Sequence, residues 1–433
     1  MGWACGHTAA PSELYEVVED IEAASFVRRH TSGRILVLDQ VRCEDGDDVE
    51  TCRCLVNELL ARSLTNDNTY GLCRLTGECP ALLEALGQMG FAPIPKQKGL
   101  YYVDMRDPMI LVQDVYLSIK PPHRDDPEVK RVVEARRPVL RQALADLFPG
   151  CLVLTFDAEM LNQSLMTKVQ KHNGVQDVPK GVRRLGSHMC VPYGQILSDS
   201  IVPNTVTKTL HVEKVYTQDI GSFQVQQYPG YSSLVNQIRT IKSFRRPVIL
   251  VDDLLHKGYR IDNLDPLFKQ EGVDVSRIIV GIMSGRGNDL MELQGRKVDC
   301  EYFIPNLHYW FTESSIYPFL GGDSVEGGGM DQLLSSINMI LPYYYPKYIY
   351  DAEPAGIRRL SETALENAQA ILEVLERQHQ RTFNATLTLR RLGEAVYRPR
   401  LPDKGKRIQY DLSVPASAYV RDDLVLLRRT KTD

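Results

Sequence analysis

Between residues 231 and 305 apolar and polar positions alternate more regularly than anywhere else in the chain. YSSLVNQIRTIKSF has helical spacing, PVILV is an apolar strand, NLDPLFKQEG a helix, RIIVGIMS a strand, GNDLMELQGR a helix and VDCEYFIP a strand. Strands separated by about ten to fifteen helical residues imply crossovers and a parallel sheet with helices on both faces. A strand buried on both sides needs no polar alternation, which accounts for VILV. Upstream, SHMCVPYGQIL and GSFQVQQY read as strands, and a helix over 126–148 leads into the apolar run GCLVLTFDAEML.

The first hundred residues alternate in shorter units. SELYEVVEDIEAASFVRRH reads as one helix with Ser12 as its N-cap, GRILVLDQVRC as a strand, DVETCRCLVNELLARSL as a helix and TYGLCRL as a strand. The helix CPALLEALGQMGF and the strand GLYYVDM follow, and then SIKPPHRDDPEVK, Pro-rich and charged in the manner of a linker. Near the other end, PAGIRRLSETALENAQAILEVLERQHQRTF is a long helix with Pro354 at its start. Its apolar positions Ile357, Leu360, Ala364, Leu365, Ala368, Ile371, Leu372 and Leu375 share one face, which docks either on its own chain or on a second copy in a homodimer. Three regions result: 1–115, 116–345 and 346–433.

Composition agrees, since 433 residues correspond to about two to four domains. With 43% hydrophobic and 24% charged residues and a net charge of -4, the chain has no basic field for nucleic acid. No run of 18 or more apolar residues occurs, and the opening MGWACGHTAAPSELYEVVED has neither a basic nor an apolar leader segment. No membrane association and a cytoplasmic location are the expectation. Nine cysteines then imply reduced thiols. Cys52 and Cys54 form a C-x-C, but the spacing is wrong for zinc and helical geometry puts them on different faces.

The chemistry concentrates in PVILVDDLLHKGYR, where Val248 to Val251 run straight into Asp252 and Asp253. Ligands of open parallel sheets bind at the carboxyl ends of the strands, which is where this acidic pair falls. The stretch resembles the PRPP-binding signature of type I phosphoribosyltransferases: four apolar residues, two acidic, two apolar, two small or polar, then glycine. The resemblance covers about residues 150 to 320 and implies a phosphoribosyltransferase-like sheet. It implies that Asp252 and Asp253 hold the ribose 2′ and 3′ hydroxyls and that the loop of His256, Lys257, Gly258, Tyr259 and Arg260 wraps the 5′-phosphate. A carboxylate is an acceptor suited to adjacent hydroxyls, and a loop entering a helix offers free N–H groups to phosphate.

That loop departs from the family, which usually carries Ser or Thr where this chain has cations. Lys257 and Arg260 remain able to bind phosphate, as a point charge and a planar fork. Around the pocket, Thr207, Lys208, His211 and Lys214 are candidates for a diphosphate or lid role. Ser284 and Arg286 leave the next strand and are candidates for substrate specificity. The implied reaction is displacement of pyrophosphate from PRPP by a nucleophile, with Mg2+ on the diphosphate. The partner is then a small ribose phosphate or nucleotide. The alternative is a non-catalytic module that senses such a ligand, or a scaffold in a larger nucleotide-metabolising assembly with a nucleotidyltransferase elsewhere.

Two further stretches bear on function. In NLHYWFTESSIYPFLGGDSVEGGGMDQLL, Gly321, Gly322, Gly327, Gly328 and Gly329 read as a mobile loop able to act as a lid, while Tyr309, Trp310 and Phe311 read as core. The N-terminal order of strand, long helix, strand, short helix ending in Gly90 and Phe91, and strand resembles the C-terminal half of a GNAT acetyltransferase over about 80 residues. In place of that family's pyrophosphate loop stands RCEDGDDVETC, whose Glu44, Asp45, Asp47 and Asp48 repel a pyrophosphate but suit a helix N-terminus. A half-domain of this kind implies lost activity or a chain that begins inside a longer parent.

Overall fold

The computed structural model describes residues 2–43, 48–75, 79–175, 184–327, 333–402 and 409–430. It is an α/β protein whose chain divides into two units: Met1–Thr155 with Asn306–Gly322 and Gly329–Asp433, and Phe156–Pro305 with Asp323–Gly328. The division does not fall at 115 and 345. The reason is that segments distant in sequence complete one another's cores in the first unit.

The sheet of that unit runs β1 (Gly2–Ala9), β2 (Arg34–Cys43), β3 (Asn68–Arg74), β5 (Leu100–Gln113) and β14 (Tyr309–Thr312), with β4 (Ala92–Pro93) and β6 (Cys151–Asp157) also pairing β5. Strands β2 and β3 are parallel, joined through α3 (Val49–Ser63), and β1 adds antiparallel to β2. The helix expected over 12–30 is two, α1 (Leu14–Val18) and α2 (Ile21–His30). Glu19 between them is left-handed at φ 56°, and Asp20 rather than Ser12 caps α2, accepting the Ala23 N–H at 2.7 Å. The cap of α3 is Asp48, whose carboxylate accepts from Glu50 and Thr51; Glu44, Asp45 and Asp47 lie outside the described residues.

The expected linker at 118–130 is packed. After α4 (Pro80–Gln88) and α5 (Val115–Ser118), Ile119 and His123 turn into the core, and His123 stacks on His379 with ring centroids 5.4 Å apart. This segment runs into α6 (Pro127–Ala145), which packs on α12 (Pro354–Phe383), the helix whose other neighbour is α13 (Ala416–Arg429). All eight apolar positions of the α12 face named above are buried. That face is therefore covered within its own chain.

The start of the glycine-rich stretch, from 309 to 321, is likewise built into the unit. Strand β14 pairs parallel with β5, burying Tyr309 and Phe311 and leaving Trp310 39% exposed, as strand alternation requires. It continues into α11 (Glu313–Ile316), and Gly321 is pressed against the Ser314 carbonyl, where an added Cβ would stand 2.0 Å from the oxygen. Gly328 and Gly329 lie outside the described residues. Farther on, β16 (Leu334–Ile337) pairs parallel with β17 (Arg400–Pro402).

In the second unit five strands form a wholly parallel sheet in the order β13 (Val298–Ile304), β12 (Val275–Ser284), β11 (Val248–Leu255), β7 (Met189–Pro192) and β8 (Val206–Thr207). Ile238 and Ile241 of α8 (Leu234–Ser243) and Leu264 and Phe268 of α9 (Tyr259–Glu271) share one core with Val248, Leu250, Ile278 and Val280. The alternate residues face α7 (Ala158–Asn173), whose Leu161 is 3.6 Å from where a Gly281 Cβ would stand. Helix α10 (Gly285–Leu293) lies along β12 and β13. A hairpin of β9 (Val212–Tyr216) and β10 (Phe223–Gln227) stands apart from this sheet and gains β15 (Asp323–Val325) beside β9. Among the described residues, no helix is long and apolar enough to cross a membrane.

The first unit buries an ionic cluster. Asp114 accepts the N–H and the hydroxyl of Ser314 at 2.8 and 2.6 Å, and Arg137 Nε reaches Glu313 Oε1 at 3.2 Å. Burial pushes the Glu313 carboxyl up to about 7, with Arg137 opposing and Asp114 reinforcing. A raised carboxyl favours the folded state most fully below its ordinary value, and that contribution is lost as pH rises through about 7. Stability of the wild type is expected to fall across this interval, and Glu313→Gln to flatten the fall, as followed by urea unfolding at several pH values. Arg137→Met leaves two buried carboxyls without their cation and is expected to cost about 3 to 5 kcal/mol at pH 8, and less at pH 5.

Candidate functional site

Strand β7 stops at Pro192, opposite Val251, while β11 runs on to Leu255. Past that rung the Tyr193 and Gly194 N–H groups both turn to the Val251 carbonyl, at 2.9 and 3.4 Å. The next two N–H groups are taken by a side chain: Asp253 accepts from Gln195 at 2.6 Å and from Ile196 at 3.0 Å. A carboxylate thus continues the ladder that the neighbouring strand abandons. Gly194 is required by the closeness of this contact, since a Cβ there would stand 2.4 Å from Asp253 Oδ1.

Asp252 is turned the other way and is 3% exposed. Its Oδ1 accepts the Asp253 N–H at 2.9 Å and faces Arg260 Nη1 at 3.0 Å. The same Nη1 donates to the Tyr193 carbonyl at 3.2 Å, and the guanidinium lies 5.7 Å from the centroid of the Tyr193 ring. Burial raises the Asp252 carboxyl against the pull of Arg260; burial and then Asp252 itself raise Asp253. The acidic pair therefore sits side by side because each member has its own internal partner.

The loop of 256–260 closes onto the next strand. His256 Nδ1 is 2.8 Å from Ser284 Oγ, which also accepts the Gly287 N–H at 3.1 Å and so caps α10. A Ser–His contact is the outline of a nucleophile and base, but Ser284 is 1% exposed, so its hydroxyl orients the imidazole rather than attacking a ligand. Burial, then Lys257 and Arg286, lower the His256 pKa, leaving the ring neutral at physiological pH. Gly258, left-handed at φ 69°, begins α9 without any side-chain cap, and a Cβ there would meet Leu290 at 2.0 Å. Lys257 and Tyr259 are exposed beside this helix start.

Lys214 comes to the same place from the β9–β10 hairpin. It is half-buried, its Nζ 5.0 Å from the Phe223 ring centroid and 5.7 Å from that of Tyr259, and burial followed by Arg260 lowers its pKa. Arg286 is exposed at the start of α10. Lys208 is half-buried, its N–H bonded to the Cys190 carbonyl at 3.0 Å, and Thr207 Oγ1 accepts the Val202 N–H at 3.3 Å. His211 stacks on Tyr231 at 3.7 Å. The turn at 193–196 escapes the sequence pattern, which reads it as strand; its one signal is Gly194 inside an apolar run, a mark of close backbone approach.

Chemically, the site offers an anion three cations, Lys214, Lys257 and Arg260, and the open first turn of α9. No group of three or more His, Cys, Asp or Glu side chains among the described residues could hold a metal ion, and Asp252 and Asp253 are engaged as above. The described residues do not build a cage for Mg2+. Asp253→Asn leaves one acceptor oxygen for two backbone N–H groups and is expected to destabilise the protein by about 1 to 3 kcal/mol, measured by chemical unfolding. Gly194→Ala is expected to lower stability as well, by forcing the same contact apart.

No family model matches the chain, and no curated protein matches it. Among solved structures, one described as the structure of AQ2163 protein from Aquifex aeolicus is 13% identical, over 47% of this chain and 86% of its own length. Its TM-score of 0.22 is too low to establish a shared fold.

Proposed function

We propose that the second unit is a phosphoribosyltransferase-like module that binds PRPP or a nucleoside 5′-phosphate, with the 5′-phosphate on the 256–260 loop. The observation that carries this reading is the position of Lys257, Gly258 and the uncapped start of α9 at the carboxyl end of the central parallel strand. Unpaired N–H groups and a positive dipole end meet there, beside cations, where open parallel sheets take their ligands. With PRPP the reaction would be transfer of the phosphoribosyl group with release of pyrophosphate. Mg2+ would arrive on the diphosphate and supply charge neutralisation; the chain's own part is to seat the phosphate and the ribose.

Binding without turnover is a second reading, favoured by one observation: the side chains that resemble the family's hydroxyl acceptors are engaged by Arg260 and by the N–H groups of Gln195 and Ile196. Neither reading draws on the first unit, where among the described residues Asp48 caps the start of α3, the place at which a GNAT-like enzyme would hold its cofactor's pyrophosphate.

Calorimetric titration of the full chain with PRPP and with ribose 5-phosphate, with and without Mg2+, tests the module. Micromolar binding is expected, and Lys257→Gln should weaken it by about two- to tenfold, the effect of one exposed hydrogen bond. Absence of binding by both ligands removes the proposal. Pyrophosphate release from PRPP with a panel of bases separates enzyme from sensor.

A further inference from the structure

Both acidic side chains of the signature are used inside the protein, whereas Lys257 is exposed and Arg260 is held by only part of its fork. Asp253 holds two backbone N–H groups of the 193–196 turn, and Asp252 holds the Arg260 Nη1 that also bonds the Tyr193 carbonyl. A guanidinium has five N–H donors in a fixed fork. These contacts engage one nitrogen of Arg260, whose side chain stays 19% exposed while that of Asp252 is 4% exposed. The buried carboxylate thus fixes the exposed part of the fork in place.

We infer that the acidic pair is a positioning device and that ligand recognition runs through Arg260, Lys257, Lys214 and the start of α9. The site then reads a phosphate ester and is indifferent to the sugar's hydroxyls. Asp252 is 3% exposed, so reaching a ribose hydroxyl would require it to turn away from Arg260 and leave that half-buried guanidinium without its counter-charge. Freeing Asp253 would orphan the Gln195 and Ile196 N–H groups. Either loss costs about as much as a hydrogen bond to a charged group returns, so a diol has little to gain there. The inference rests on the phosphate reading of the 256–260 loop and narrows its ligand class from ribose phosphates to sugar and nucleoside phosphates at large. Asp252 acts through Arg260, so removing its charge should weaken every phosphate ester alike.

The test is a calorimetric comparison of ribose 5-phosphate with 2-deoxyribose 5-phosphate on the full-length protein, with inorganic phosphate as a third probe. The expected result is dissociation constants for the two sugars within about threefold of each other, less than one hydrogen bond to a charged group would give. Asp252→Asn is expected to weaken both sugars equally, and Lys257→Gln, at an exposed site, to do the same without affecting the fold. Ribose 5-phosphate binding about tenfold or more tighter, with the preference erased in Asp252→Asn or Asp253→Asn, overturns the inference and leaves the phosphate loop standing. If none of the three probes binds, the phosphate loop itself is refuted, and the inference with it.

Discussion

The site depends on a strand that outlives its neighbour. Strand β11 continues past Val251 after β7 has ended at Pro192, so the backbone on that side has lost its ladder partner while still inside the core. Buried N–H and C=O groups must be paired, and here a side chain does the pairing. Asp253, half-buried, takes the N–H groups of the departing turn, and Asp252 beside it is buried outright. Two adjacent carboxylates, one of them buried, demand a cation, and Arg260 is drawn inward from the first turn of α9 to supply it. The direction of the loop, the start of the helix and the accessibility of Lys257 follow from that demand.

Much of this second unit is legible in the sequence because its order is local. Strands β11 and β12 are each followed by their own helix before β13 closes the run, and a strand buried on both faces announces itself as an unbroken apolar run such as VILV. The location of Asp252 and Asp253 at the carboxyl end is equally plain. Their partners are not, because Gln195 and Ile196 lie 58 and 57 residues away and contribute main-chain groups that any residue possesses.

The first unit is less legible for the same physical reason. Strand β14 joins β5, and Asp114 meets Ser314 across 200 residues, pairings that no window of local periodicity contains. Prolines and charges at 118–130 look like a linker, yet Ile119 and His123 are the residues that matter there, and both turn inward. Strand β1 hides for another reason: GWACGHTA is too short of bulky apolar residues to alternate visibly, although its backbone pairs along β2.

The interleaving of segments also bears on how the chain matures during synthesis. The first unit needs residues 306–322 and 329–433, which emerge from the ribosome after the whole of 156–305. Until then the β5 edge that will receive β14 is open, and Arg137 has no Glu313 to meet. The parallel sheet of the second unit lies wholly within 156–305 and has no such wait. The order of translation therefore makes the inserted unit the earlier to close, and leaves the flanking one as the stage at which a nascent chain is most exposed to mispairing.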